Sequence, residues 1–76
     1  MKTLKDLEDM KSQKCAPFAN AYEYFFMMLT DFYISKVDGS DRIQKELSKW
    51  DMEARRAIVA EVERRVKAQG IEDFEL

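Results

Sequence analysis

The chain has no histidine, one cysteine, one proline and two glycines, and each scarcity excludes a class of site or fold. Without histidine there is no Ser-His or Cys-His nucleophile pair, and the commonest metal ligand is missing. One cysteine provides neither an internal disulfide nor, within a single chain, a zinc site of the usual type. Two glycines cannot supply a P-loop or a dinucleotide-binding loop. We therefore expect no enzyme activity, no cofactor and no bound metal.

The same scarcity of turn residues argues against an all-β fold. The 76 residues are 46% hydrophobic and 37% charged, which is typical of one ordered helical domain spanning residues 1–76. The net charge of −2 disfavours nucleic acid as a partner. The opening stretch MKTLKDLEDM is charged throughout and has no apolar run, so it resembles neither a signal peptide nor a transit segment. We expect a cytoplasmic protein that does not associate with membranes.

One aromatic stretch, at about residues 17–37, dominates the rest of the chain. It contains four of the five phenylalanines and all three tyrosines. Spacings of three and four predict a helix with one apolar seam along its surface. That seam consists of Phe18, Tyr22, Phe25, Leu29 and Phe32. A second seam lies beside it and consists of Ala19, Phe26, Tyr33 and Val37.

A helix that is apolar over more than half of its circumference must be covered on several sides, and two interpretations follow. In the first, the other helices of the same chain enclose it and the protein is a monomer. In the second, another chain covers the second seam, and that chain is either a copy of the protein or a target. We favour the second, because a chain of 76 residues has few other side chains with which to enclose such a helix.

Three further helices are predicted, at about residues 3–13, 41–49 and 52–69. The segment Asp38-Gly39-Ser40 is a stop signal for the central helix, and Asp51 is a cap for the last one. The predicted buried stripe of the last helix consists of Met52, Ile58, Val59, Val62 and Val66. Gly70 follows as a stop signal, and residues 71–76 form an acidic tail. The predicted fold is therefore an all-α bundle of three or four helices around the aromatic helix, completed by dimerisation in the second interpretation.

The preferred function is a non-catalytic protein–protein interaction module that acts stoichiometrically, as a regulator, inhibitor or adaptor. Catalytic residue types are missing, whereas aromatic and methionine residues exceed what a small core readily buries. Small acidic proteins of this type include phage and mobile-element inhibitors such as anti-CRISPR proteins. The sequence does not identify the partner, and a homodimer is expected. The predicted interaction face consists of Tyr24, Phe26, Met27, Thr30, Tyr33 and Ile34.

Two alternative functions stay open. A small helix-turn-helix DNA-binding regulator would use residues 41–69, with Arg55, Arg56, Arg64 and Lys67 as its contacts. Acidic residues interleave these cations, which instead favours a solvated helix face with internal ion pairs. The other alternative is a structural subunit of an assembly. The role of the tail is also open: Phe74 and Leu76 could dock into a partner, fold back under the last helix or fray.

Overall fold

The computed structural model describes residues 1–35 and 41–76, and the described residues form four α-helices. These are α1 (Leu4–Asp9), α2 (Ala21–Ser35), α3 (Asp41–Leu47) and α4 (Met52–Ala68). Helix α4 packs against α1 and α2, and α3 packs against α2. The predicted all-α fold with a central aromatic helix is confirmed.

Helix α1 is shorter than predicted, because it ends at Asp9 and turns follow it. Its start is fixed by a capping box in which the Asp6 backbone N–H donates to Thr3 and the Thr3 backbone N–H donates to the Asp6 carboxylate. Ahead of it, the Lys2 backbone N–H donates to Lys49 O at 2.9 Å, and its carbonyl accepts from Asp51 N–H at 2.8 Å. The first residues are thereby attached to the connection between α3 and α4.

Helix α2 begins later than predicted, at Ala21 rather than near Pro17. The Asn20 side chain accepts a hydrogen bond from the Glu23 backbone N–H at 2.8 Å and so caps the helix. Pro17 lies in the preceding turn, where the Phe18 backbone N–H donates to Cys15 O. The predicted stop at Asp38-Gly39-Ser40 lies outside the described residues.

Helices α3 and α4 are separate, and Trp50 lies between them with 1% of its surface exposed. Its ring packs on Phe25 with centroids 5.6 Å apart, and its indole N–H donates to Glu46 at 3.1 Å. The Asp51 side chain accepts from Ala54 N–H at 2.9 Å, which confirms the predicted cap of α4. At the other end, Gly70 has the positive φ of 88° that the predicted stop requires.

The buried stripe of α4 differs from the predicted one. Ala54, Ile58, Val62 and Val66 are fully buried at a regular spacing of four residues. They pack against Phe26 and Leu29 of α2, which are equally buried. Met52 lies off this line and is 61% exposed, and Val59 is half-buried. The helix therefore keeps part of its apolar surface outside the core.

Candidate protein-interaction surfaces

The six residues of the predicted interaction face separate into a buried group and a partly exposed group. Phe26 and Thr30 are enclosed by the chain itself, with 0% and 3% of their surfaces exposed. The Thr30 hydroxyl donates to Phe26 O at 2.6 Å. Tyr24 is 41% exposed, and Met27, Tyr33 and Ile34 are half-buried. The predicted face is thus reduced to these four residues, and their contact with a partner stays a prediction.

Met27 borders a groove between α2 and α4, of about 230 Å³. Its other walls are Thr30, Asp31, Arg64, Arg65, Ala68 and Gln69. Charged side chains of both helices, among them Asp31 of α2 and Arg64 of α4, form part of its sides. Two residues of the predicted face, Met27 and Thr30, therefore border a concave surface.

A network of charges crosses from α4 to α2 beside this groove. Arg64 and Arg65 both bind the Glu61 carboxylate, and Arg65 also reaches Glu23 on α2 at 3.0 Å. The Arg65 guanidinium lies over the ring of Phe26, 5.5 Å from its centroid. Hydrogen bonds, first from Arg64 and then from Arg65, lower the pKa of Glu61, although partial burial opposes them. The network joins the two helices beside the groove.

The tail folds back onto α2, at a place that the sequence did not indicate. The Tyr33 hydroxyl donates to Asp73 O at 2.8 Å and accepts from the Glu75 backbone N–H at 3.1 Å. The ring of Phe74 packs on that of Tyr33, with centroids 4.8 Å apart. The second predicted seam is therefore covered within the chain at two points: by α4 at Phe26 and by the tail at Tyr33.

A second groove, of about 440 Å³, lies where the end of α3 meets the first half of α4. We call it the α3–α4 groove, and its lining is Gln44, Leu47, Met52, Arg55, Arg56, Val59, Ala60, Glu63 and Leu76. Met52 and Leu76 are among the few large apolar side chains of the described residues that are exposed, at 61% and 36%. The sequence prediction missed this site because it assigned Met52 and Val59 to the core. The regular series Ala54-Ile58-Val62-Val66 was the available signal that Met52 lies outside the core, whereas Val59 is half-buried and packs against it.

The four cations of the DNA-binding alternative have different roles in the structure. Arg55 Nε donates to the carbonyls of Leu47 and Trp50 at 2.8 and 2.7 Å, and so satisfies the end of α3. Two others are paired along their own helix: Arg64 with Glu61, and Lys67 with Glu63.

Arg56 is exposed and has no hydrogen bond or ion pair with any described residue. These cations therefore do not form one free basic face.

The described residues offer little that resembles a catalytic or metal site. Within residues 1–35 and 41–76, no three cysteine or acidic side chains are grouped so as to hold a metal ion. In the same ranges, every buried side-chain nitrogen or oxygen has a hydrogen-bond partner. Cys15 is a free, half-buried thiol. None of the helices in the described ranges is long and apolar enough to cross a membrane.

The comparisons with known proteins do not add a relative: no family model, no curated protein and no solved structure matches the chain.

Proposed function

We propose that this chain acts without catalysis, by binding another protein stoichiometrically. The observation that carries the proposal is the α3–α4 groove, where Met52 is 61% exposed beside Leu47, Val59 and Leu76. Exposed apolar surface of this kind, with polar residues around it, marks sites where proteins associate. An amphipathic segment of a partner would bury it.

The groove also has the residue types that stabilise such contacts. Methionine is flexible and adapts to partner surfaces, which suits Met52. Arginine is enriched among the residues that dominate binding energy, and Arg56 at the groove is free to pair with an acidic group of the partner. Arg55 is held by two backbone carbonyls, so it gives the groove a fixed wall.

The specific form that we propose is a cytoplasmic regulator, inhibitor or adaptor. Its small size and acidic pI of about 5.1 suit an inhibitor of the kind encoded by phages and mobile elements, such as an anti-CRISPR protein. An inhibitor that works by occupying a surface of its target needs no catalytic residues. Self-association is part of this proposal, with the remaining exposed part of α2 at Tyr24, Met27 and Ile34 as the contact.

Substitution of Met52 tests the proposal. Full-length chain with Met52→Glu, with Met27→Glu and with Gln13→Glu is used as bait in a lysate of the source cells, and retained proteins are quantified by mass spectrometry. Each substitution introduces a carboxylate at a position that is not fully buried. We expect Met52→Glu to remove a partner that binds the unmodified chain in a fixed ratio, since a carboxylate in an apolar contact is costly. Gln13→Glu, on an exposed loop, should retain it.

Two results of this experiment would contradict the proposal. One is that the unmodified chain retains no protein in a fixed ratio; the other is that Met52→Glu retains every protein as well as Gln13→Glu does. Loss of the partner in Met27→Glu alone would instead place the contact on α2. Circular dichroism of each variant shows whether the helices persist.

Self-association is tested separately, by light scattering over a series of concentrations. A mass of about 18 kDa, twice the 9.0 kDa of one chain, would establish a dimer. Met27→Glu and Ile34→Glu should then restore the mass of one chain with helicity intact. If either change unfolds the chain, that part of α2 belongs to the core. A constant 9.0 kDa would exclude the dimer over the concentrations used.

A further inference from the structure

The acidic tail is attached to the rest of the chain at two points. The first is Tyr33, whose hydroxyl binds the backbone of Asp73 and Glu75 and whose ring packs on Phe74. The second is the α3–α4 groove, which Leu76 helps to line. The tail therefore crosses from α2 to the surface on which the proposed function rests.

The chemistry of the tail complements this surface. Phe74 and Leu76 supply two apolar side chains separated by one residue. The carboxylates of Glu72, Asp73 and Glu75 are exposed, and none forms an ion pair with a described residue. Two arginines, Arg55 and Arg56, line the groove together with Leu76, and the one acidic side chain of its lining, Glu63, is already paired with Lys67. An acidic segment with apolar residues at positions i and i+2 thus fits both the apolar and the charged parts of the surface.

Few contacts hold the tail in place. Its two hydrogen bonds share the single hydroxyl of Tyr33, and its packing against the core comes from two side chains, Ile71 and Phe74, that are only partly buried. Segments with few buried contacts open at much lower free energy than the core, without unfolding the domain. The surface beneath the tail can therefore become available while the four helices remain folded.

We infer that the surface from Tyr33 to the α3–α4 groove binds an acidic segment of a partner protein that carries an aromatic and an aliphatic residue at positions i and i+2. The tail occupies this surface in the free chain, and the partner segment replaces it. This inference rests on the proposed function, because it specifies the chemistry of the partner. It also makes the tail a competitor that reduces the apparent affinity for the partner.

A peptide of the tail sequence, IEDFEL, serves as the probe. A labelled copy is titrated against the full-length chain and against its Phe74→Ala variant, and binding is followed by chemical-shift changes up to millimolar peptide. The attached tail competes at an effective concentration on the order of millimolar, so we expect Phe74→Ala to bind the peptide about tenfold more tightly than the unmodified chain does. The control peptide IEDAEL should not bind measurably to either protein.

Tyr33→Phe, introduced into the Phe74→Ala chain, tests the site itself. The ring remains for stacking, but the hydroxyl that binds the peptide backbone is lost, so the peptide affinity should fall severalfold. Phe74 is only half-buried at the edge of the core and Tyr33→Phe keeps its ring, so both variants should retain the helical circular-dichroism spectrum.

Three results would overturn the inference. Equal binding of IEDFEL to the unmodified and Phe74→Ala chains, including no binding to either, would show that the tail does not occupy a peptide site. Equal binding of IEDAEL and IEDFEL would show that the aromatic residue is not recognised. A doubled mass that Phe74→Ala abolishes would identify a second copy, by tail exchange, as the occupant. Because no partner protein enters this experiment, its failure leaves the Met52 test of the proposed function intact.

Discussion

Phe26 and Phe74 both pack on aromatic rings, yet they belong to different regions of the molecule. Phe26 is fully buried between α2 and α4, with its ring 4.6 Å from that of Tyr22 and 5.2 Å from that of Phe25. Phe74 lies on the surface of α2, half-buried against the ring of Tyr33. The first contact lies inside the core between α2 and α4, whereas the second joins the tail to α2 at the edge of the core.

The difference separates the residues that stabilise the fold from those whose exposed surface could bind another protein. Residues of α4 at a spacing of four meet Phe26 and Leu29 with no exposed apolar surface. The tail and the α3–α4 groove retain partly exposed apolar side chains, of which Met52 is the most accessible in that groove. The exposed apolar side chains of the second region, Met52 above all, keep surface that a contact with another protein can bury.

The largest effect that separates the two regions is expected from replacing each phenylalanine by alanine. Phe26→Ala should lower the free energy of unfolding by about 3–5 kcal/mol, since it leaves a cavity in a fully packed site. Phe74→Ala should lower it by less, about 1 kcal/mol, because the ring is only half-buried at the edge of the core. Urea unfolding followed by circular dichroism measures both. Equal losses would show that the tail is part of the cooperative core.

Much of the fold was predictable because its determinants are local in sequence. The cap at Asp51, the stop at Gly70 and the aromatic helix depend on residues within one or two helical turns, and each is present. The predicted length of α1 and the predicted start of α2 were wrong. For α2 the reason is that Asn20 caps the helix, and the turn that contains Pro17 precedes it. Element boundaries depend on such single side chains.

The candidate site was less predictable, because it depends on contacts between distant parts of the chain. The helical period shows on which face of α2 Phe26 and Thr30 lie. It does not show that α4, with its Arg65, packs against that face. Tyr33 meets the tail 40 residues further along the chain, and no local pattern encodes that contact. For the same reason, the sequence presented Arg55 as a surface cation, although two carbonyls bind it.

A smaller effect on stability is expected from replacing Arg55 and Arg56, which are neighbours on α4. Arg55 is bound by two carbonyls and Arg56 is not, so the pair compares a structural with an exposed side chain. Arg55→Met keeps the apolar stem but leaves the carbonyls of Leu47 and Trp50 without their donor. We expect a loss of about 1–3 kcal/mol in the free energy of unfolding. Arg56→Met should change it by no more than about 0.5 kcal/mol, because Arg56 contacts no described residue through its charge.

Thermal unfolding at neutral pH measures both arginine variants, and equal effects would exclude the role given to Arg55. The two arginines also provide a test of the DNA-binding alternative. Arg56→Ala, which should leave stability intact, is the variant whose DNA affinity can be interpreted directly. A salt-dependent affinity that Arg56→Ala weakens would support that alternative.

The smallest effect on stability is expected from replacing Glu61, whose carboxylate binds Arg64 and Arg65 at the surface between α4 and α2. Hydrogen bonds from Arg64 and Arg65 lower the pKa of Glu61 below its ordinary 4.5 in the folded chain. A lowered folded-state pKa stabilises the protein above the ordinary value, and this contribution disappears as the pH falls through the folded pKa. Glu61→Gln should therefore reduce the midpoint of thermal unfolding slightly at pH 7 and bring the two proteins together in acid.

The Glu61 contribution should be less than about 1 kcal/mol, since Arg64 is 67% exposed and solvent screens the pair. Arg64→Gln removes the largest cause of the lowered pKa and should likewise reduce the dependence of the midpoint on pH below 4.5. A variant that loses as much stability at pH 2 as at pH 7 would show that Glu61 acts through packing rather than through its charge. In that case the side chains of the network would stabilise the fold by packing around Phe26, and their charges would contribute little.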